Sequence, residues 1–327
     1  LQAAILIGIG DITEGMDLLD QVITELLESQ SDKETLTLSL IRRAFAYRIQ
    51  GDYEKSKKDS QSAIDLLKDT PELGHIRAEA MRIRGGTYYL QGELRVALTT
   101  LKESLRLFES YHDQQNIPKL LFNIGFMNFQ LGNYVRAESM YQDALEYWQS
   151  GGNFAWASEL LNNLGVLQQL RGDYKAAAKN FEKAIEYARI SNSPQAEGLS
   201  LSSLGDLYRD LDAFREAVDV YKQAQSIAKQ LDDRFLLFYL DLAEGVLERI
   251  SGDLPKSRFL LESAEKKASE SESAYTINLL ETERAMYNLT ENKYQGAANS
   301  ATSAYDYFQS EGHENESLRA AFSSALA

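Results

Sequence analysis

Apolar residues along this chain return at helical spacing. From Tyr174 onward, Tyr174, Ala177, Phe181 and Ala184 advance by three or four residues, which places them on one face of a helix. The same face recurs down the sequence behind a short polar turn: Gly51-Asp52-Tyr53, Gly92-Glu93-Leu94, Gly132-Asn133-Tyr134, Gly172-Asp173-Tyr174, Asp212-Ala213-Phe214, Gly252-Asp253-Leu254 and Asn292-Lys293-Tyr294. Gly10-Asp11-Ile12 extends the series backwards, and the steps from Gly10 are 41, 41, 40, 40, 40, 40 and 40 residues.

Two small positions keep the phase of the turns. Five residues after each turn stand Gly15, Ser56, Ala97, Ala137, Ala177, Ala217, Ser257 and Ala297. Seven before it stand Ala3, Ala44, Gly85, Gly125, Gly165, Gly205, Gly245 and Ala285. Small residues at fixed places let helices approach closely. Nine after the turn the residue is large (Leu19, Leu101, Tyr141, Phe181, Tyr221, Leu261), except at Ser60 and Ala301. Twelve after it come Val22, Ala63, Ser104, Ala144, Ala184, Ala224, Ala264 and Ala304, so the helix that follows each turn has a defined inner face.

The run Leu160-Leu161-Asn162-Asn163-Leu164-Gly165, followed by Gly172-Asp173-Tyr174, Ala177, Phe181 and Ala184, resembles the tetratricopeptide repeat consensus. The resemblance implies an all-α fold, a right-handed superhelical α-solenoid of antiparallel helix hairpins running through residues 1–327. About eight repeats are expected, with turns near 10, 51, 92, 132, 172, 212, 252 and 292, a partial first repeat, and a capping or truncated helix over 314–327. Arg43, Arg84 and Arg284 depart from the pattern, standing where the family has an aliphatic residue. The family's common unit is about 34 residues, so the longer step here implies longer helices in each hairpin. Thr70-Pro71-Glu72-Leu73-Gly74, Gly151-Gly152-Asn153 and Asn192-Ser193-Pro194 are the breakers between units. Both ends fall inside a repeat, which reads as a piece of a larger protein.

Charge and composition narrow the function. A formal charge of −15 repels a nucleic-acid backbone, so direct DNA binding is not expected. With no Cys there is neither a disulfide frame nor a thiolate site, and the absence of a long apolar run or a signal-like start makes cytoplasm the default. His75, His112 and His313 are expected in loops far from one another, without the local spacing of a metal or catalytic site. Gly8-Ile9-Gly10-Asp11-Ile12-Thr13-Glu14-Gly15 lacks the preceding strand and the Gly-Lys-Ser/Thr ending of a phosphate loop. Acidic runs such as Ser269-Glu270-Ser271-Glu272 read as solvated helix faces. The chain is therefore read as a non-enzyme, with no cofactor and no metal.

The resemblance also implies a concave groove lined by the first helix of each unit. Carried over position by position, the groove residues are Arg82 and Tyr89, then Phe122, Asn123, Phe126 and Phe129, then Asn162, Asn163, Val166 and Gln169. The three phenylalanines form one stripe, which is either an open contact surface or self-packed core. Asn123 and Asn163 share a repeat position, and a carboxamide there can both donate to and accept from a peptide backbone. Arg42, Arg48, Arg209 and Arg249 add positive charge suited to an acidic peptide or a carboxylate. The reading is a regulatory or sensor module that captures a peptide or protein segment. The sequence is similar to the tetratricopeptide portions of large bacterial multidomain transcription regulators, including the maltose-type ones. The alternative is a receptor for a small molecule such as a sugar-like inducer, ranked second because Phe lacks the polar handle of Trp or Tyr.

Overall fold

The computed structural model describes residues 2–8, 11–29, 32–271 and 273–327; the turn expected at Gly10 and the residue Glu272 lie outside the described residues. The chain is all-α. Its helices are α1 (Gln2–Gly8), α2 (Ile12–Ser29), α3 (Lys33–Ile49), α4 (Tyr53–Leu66), α5 (Gly74–Leu90), α6 (Leu94–Ser110), α7 (Ile117–Gln130), α8 (Tyr134–Ser150) and α9 (Phe154–Leu170). They continue with α10 (Tyr174–Ile190), α11 (Pro194–Asp210), α12 (Phe214–Leu231), α13 (Arg234–Ser251), α14 (Leu254–Ser271), α15 (Ala274–Thr290), α16 (Tyr294–Ser310) and α17 (Glu314–Leu326).

Each Gly-Asp-Tyr turn ends one helix and starts the next within three residues. Gly172 takes the left-handed conformation, φ +79°, which costs glycine little. Its N–H donates to the Gln169 carbonyl at 3.0 Å and the Asp173 N–H donates to that of Gln168 at 2.9 Å, satisfying carbonyls orphaned at the end of α9. The Asp173 Oδ1 then accepts from the Ala176 N–H at 3.1 Å and caps α10. The junctions between hairpins use the same device. Asn192 is left-handed at φ +52°, and the Ser193 N–H donates to Ala188 at 2.9 Å before Pro194 opens α11.

From Gly92 on, the left-handed residues are Gly92, His112, Gly132, Gly152, Gly172, Asn192, Asp212, Asp232 and Gly252, twenty residues apart, with Asn292 and Gly312 in the same phase. The underlying period is thus one 17-residue helix plus a three-residue link, as in α9 and α10, taken twice per sequence repeat. His75 is a correction to the loop expectation. The 3-10 turn Pro71–Leu73 leads straight into α5, so His75 sits in its first turn, edge-on to Tyr111 at 5.8 Å.

The chain divides into two compact units, residues 1–127 and 128–327. The core of the first gathers Leu19, Leu36, Leu40, Ile64, Ile76 and Ile83. In the second, Phe181, Leu204, Tyr221, Leu236 and Leu240 form one cluster, and Phe238, Leu242, Leu261 and Leu280 another.

Inside each hairpin the small residue before the turn and the large one after it are complementary. A Cβ on Gly85 would stand 2.5 Å from Leu101, and one on Gly205 would stand 2.3 Å from Tyr221. Where the later residue is small, as at Ser60 and Ala301, the earlier one is alanine, Ala44 and Ala285, and all four are fully buried. Val22 is the exception to the inner-face series: it is exposed, and Ile23 is buried in its place.

The three irregular arginines are held by polar partners instead of apolar packing. Arg43 makes a two-pronged pair with Asp59, Nε to Oδ2 at 2.6 Å and a terminal nitrogen to Oδ1 at 2.9 Å, and reaches Asp20 at 2.7 Å. Arg84 donates to Gln61 and, at 2.9 Å, to Tyr88, while Arg284 pairs with Glu265 and, at 2.9 Å, with Glu281.

Candidate functional site: an aromatic and arginine cavity in the first unit

In the first unit α3, α5 and α7 border a cavity of about 450 Å³ lined by Phe45, Arg48, Arg82, Gly86, Tyr89, Asn123 and Phe126, among others. Four of the residues expected in the groove, Arg82, Tyr89, Asn123 and Phe126, meet here. Each is placed by its helix register. Tyr89 stands just before the Gly92 turn. Asn123 and Phe126 are set by α7, whose start is fixed by Asp113 accepting from the N–H groups of Gln115 at 3.0 Å and Asn116 at 2.9 Å.

The wall is aromatic and the floor is cationic. Tyr89 and Phe126 pack edge to face at 6.2 Å between centroids. Arg48 lies over the ring of Phe45 at 5.0 Å. A Cβ on Gly86 would come within 2.4 Å of an Arg48 terminal nitrogen, so this glycine is what lets the guanidinium lie against α5. Arg82 is committed to Glu79 through bonds of 2.7 and 2.6 Å. Among the described residues Arg48 has no carboxylate within 4.0 Å. Burial first, and then the neighbouring Arg82 charge, holds its pKa below the ordinary arginine value. The Asn123 carboxamide is half-buried and bonds to no described residue.

The remaining expected residues are distributed as follows. Phe122 is half-buried on α7. Phe129 belongs to the second unit, where it packs on Tyr134 at 5.8 Å. On α9, Gln169 donates to Asp210 at 2.7 Å and Val166 packs against the core, so both are engaged within the protein. Asn163 is half-buried without a described hydrogen-bond partner, and Asn162 Oδ1 is buried and unbonded. Phe45 was missed by sequence reading. It occupies the same place, six before its turn, as Gly86, Phe126 and Val166, so extending the register by one repeat would have found it.

Two tetratricopeptide repeat family models match the chain, one at residues 34–110 and 116–190 and the other at 200–235. The chain belongs to the tetratricopeptide repeat family. A search of curated proteins found no match. Among solved structures this tetratricopeptide chain is similar to the apo form of RapI, with a TM-score of 0.71 at 13% identity, covering 99% of this chain and 94% of that one. It is also similar to a Rap conjugation gene regulator of the plasmid pLS20 in complex with a Phr peptide, with a TM-score of 0.55 at 15% identity, covering 88% and 74%. A third is a signal transduction ATPase with a tetratricopeptide repeat sensor from Pyrococcus horikoshii, with a TM-score of 0.66 at 17% identity, covering 82% of this chain and 41% of that one. At these identities the likeness is one of fold. No described helix is long and apolar enough to cross a membrane.

Proposed function

We propose that this chain is a non-catalytic binding module that holds a peptide or protein segment in the cavity of its first unit, as the sensor or regulatory part of a signalling protein. The observation that carries the reading is the conjunction of Tyr89 and Phe126 with the uncommitted Arg48 and Asn123 around one 450 Å³ space. The rings suit an apolar side chain, the carboxamide suits an extended peptide backbone, and the guanidinium suits an acidic group. The fold shared with a Rap regulator in complex with a peptide and with a tetratricopeptide sensor supports it.

The test is a peptide array probed with the wild-type chain, followed by calorimetry of the hits against Phe126→Ala and Arg48→Gln. Each variant should weaken binding by about 1–4 kcal/mol while melting within a few degrees of wild type. Affinity unchanged in both variants, or a loss that tracks a lower melting temperature, would reject the site.

A further inference from the structure

The second unit is closed on itself. At the start of α8 the Tyr134 hydroxyl donates to Asn315 Oδ1, in the first turn of α17, at 2.6 Å and across 181 positions of the chain. Neighbouring hairpins bond across about one repeat, as Gln169 does to Asp210, 41 positions on. The backbone comes close at the same place: a Cβ on Gly132 would stand 3.2 Å from a carboxylate oxygen of Glu314. Between these two ends the helices α9, α11, α13, α15 and α17 pack on one another in turn. A stack of hairpins whose ends touch is a ring, and the hydrogen bond that closes this one joins a hydroxyl to a carboxamide. Such a bond contributes little net free energy, because both groups are hydrated when apart. It is a latch that releases without breaking a core.

The hairpin of α13 and α14 is the joint at which the ring yields. Asp241 occupies the repeat position held by Leu40, Met81, Leu121, Leu161 and Leu201, all buried. Lys267 occupies that of Leu66, Leu107, Tyr147, Tyr187 and Ile227. One repeat earlier these two positions, Leu201 and Ile227, pack in a shared apolar cluster. Here the buried Asp241 carboxylate accepts from Ser263 Oγ at 2.6 Å and from Lys267 Nζ instead. The apolar core divides along the same helix: Leu236, Leu240 and Leu247 belong to the cluster of Phe181, whereas Phe238 and Leu242 belong to that of Leu280. The interlock of glycine with a ring is missing as well, since a Cβ on Gly245 would meet Leu261 only at 3.5 Å, against 2.3 Å between Gly205 and Tyr221. An ion pair recovers its hydration when it opens, so a joint held by one parts more readily than a joint held by apolar packing.

We propose that the second unit is a hinged ring. The bond from Tyr134 to Asn315 latches α8 to α17, and the ion-paired hairpin of α13 and α14 flexes when the latch releases. Latched and open rings are two states of one fold, and the gap between α8 and α17 controls the width of the inner side lined by α9, α11, α13 and α15. The first-unit cavity takes no part in this device.

The chain has no Cys, so Val135→Cys and Glu311→Cys supply a single pair of spin labels, one on each side of the latch and both at exposed positions. Electron–electron distance measurement on the whole chain should give a main short population and a minor longer one. Tyr134→Phe keeps the ring but removes the donor, and should raise the ratio of open to latched chains about fivefold. Adding Asn315→Ala should raise it no further, because both changes remove the same bond. Asp241→Leu with Lys267→Ile installs the apolar pair of the preceding repeat, and should lower the open fraction again in the Tyr134→Phe background. Hydrogen exchange locates the hinge: amides of α13 and α14 should exchange faster than those of α9 and α10, and should slow in the apolar double variant. Tyr134→Phe should melt within a few degrees of wild type, so that longer distances report opening. Distances unchanged by Tyr134→Phe, or longer distances that track a lower melting temperature, would overturn the latch. Exchange in α13 and α14 no faster than in α9 and α10, or an open fraction indifferent to the apolar pair, would overturn the hinge.

Discussion

Gly165 and Phe181 compete for one volume: a Cβ built on the glycine would stand 2.5 Å from Cε1 of the ring, so the hairpin of α9 and α10 closes only with glycine opposite phenylalanine. Gly205 and Tyr221 repeat the relation, and Gly245 does not, because its added Cβ would meet Leu261 at an ordinary 3.5 Å.

Gly165→Ala should therefore destabilise the protein by about 1–3 kcal/mol through overpacking. Gly245→Ala should be neutral or stabilising by up to about 1 kcal/mol, because alanine is the better helix former. Denaturant titrations of the two variants check this, and equal losses would show that the complementarity does not govern the packing.

Arg43 stands where the repeat pattern asks for an aliphatic residue and is held by Asp59, with only 19% and 8% of their side chains exposed. Asp59→Leu alone should cost about 3 kcal/mol or more, since it leaves a half-buried guanidinium with only Asp20. Arg43→Leu combined with Asp59→Leu should recover most of that loss. A thermal-melting cycle over the four proteins measures it, and additive losses would contradict the expectation.

The left-handed turn residues carry a backbone preference that side chains resist. Gly172→Ala, at φ +79°, should cost about 1–2 kcal/mol. Asp212, at φ +57°, already bears a side chain, and Asp212→Gly should cost nothing or raise the melting temperature slightly. Chemical denaturation of each variant tests the pair.

Alkaline pH should weaken the second unit. Burial pushes the phenols of Tyr141 and Tyr275 above their ordinary value, and burial followed by the Asp206 charge does the same at Tyr221 and Tyr239. A phenol whose folded pKa is raised contributes stability that is complete below its unfolded pKa, about 10, and is lost as pH climbs past it. Melting temperature should be flat up to about pH 9 and then fall, less steeply in Tyr221→Phe. A flat profile to pH 11 would refute the linkage.

Much of the fold was legible because a repeat writes its packing several times over. The spacing of Gly51, Gly92, Gly132 and Gly172 located the hairpin turns, and the small positions located the helix contacts. The half-period was legible only in part: Gly151-Gly152-Asn153 and Asn192-Ser193-Pro194 marked two junctions as breakers, whereas the left-handed His112 and Asp232 share no residue type that announces them. At the candidate site, Arg82, Tyr89, Asn123 and Phe126 were reached by carrying the family's groove positions over to this register, whereas the engagement of Gln169 by Asp210 was not legible.

Helical periodicity, turn chemistry and the pairing of small with large residues are local properties, and the linear order of residues determined them without reference to anything distant. Which arginines keep a counter-ion is a different kind of fact. Arg43 finds Asp59, while Arg48 lies over the ring of Phe45 with no carboxylate within 4.0 Å among the described residues. That difference arises from where separate helices bring their charges, and a charge is satisfied or stranded only by neighbours that folding supplies.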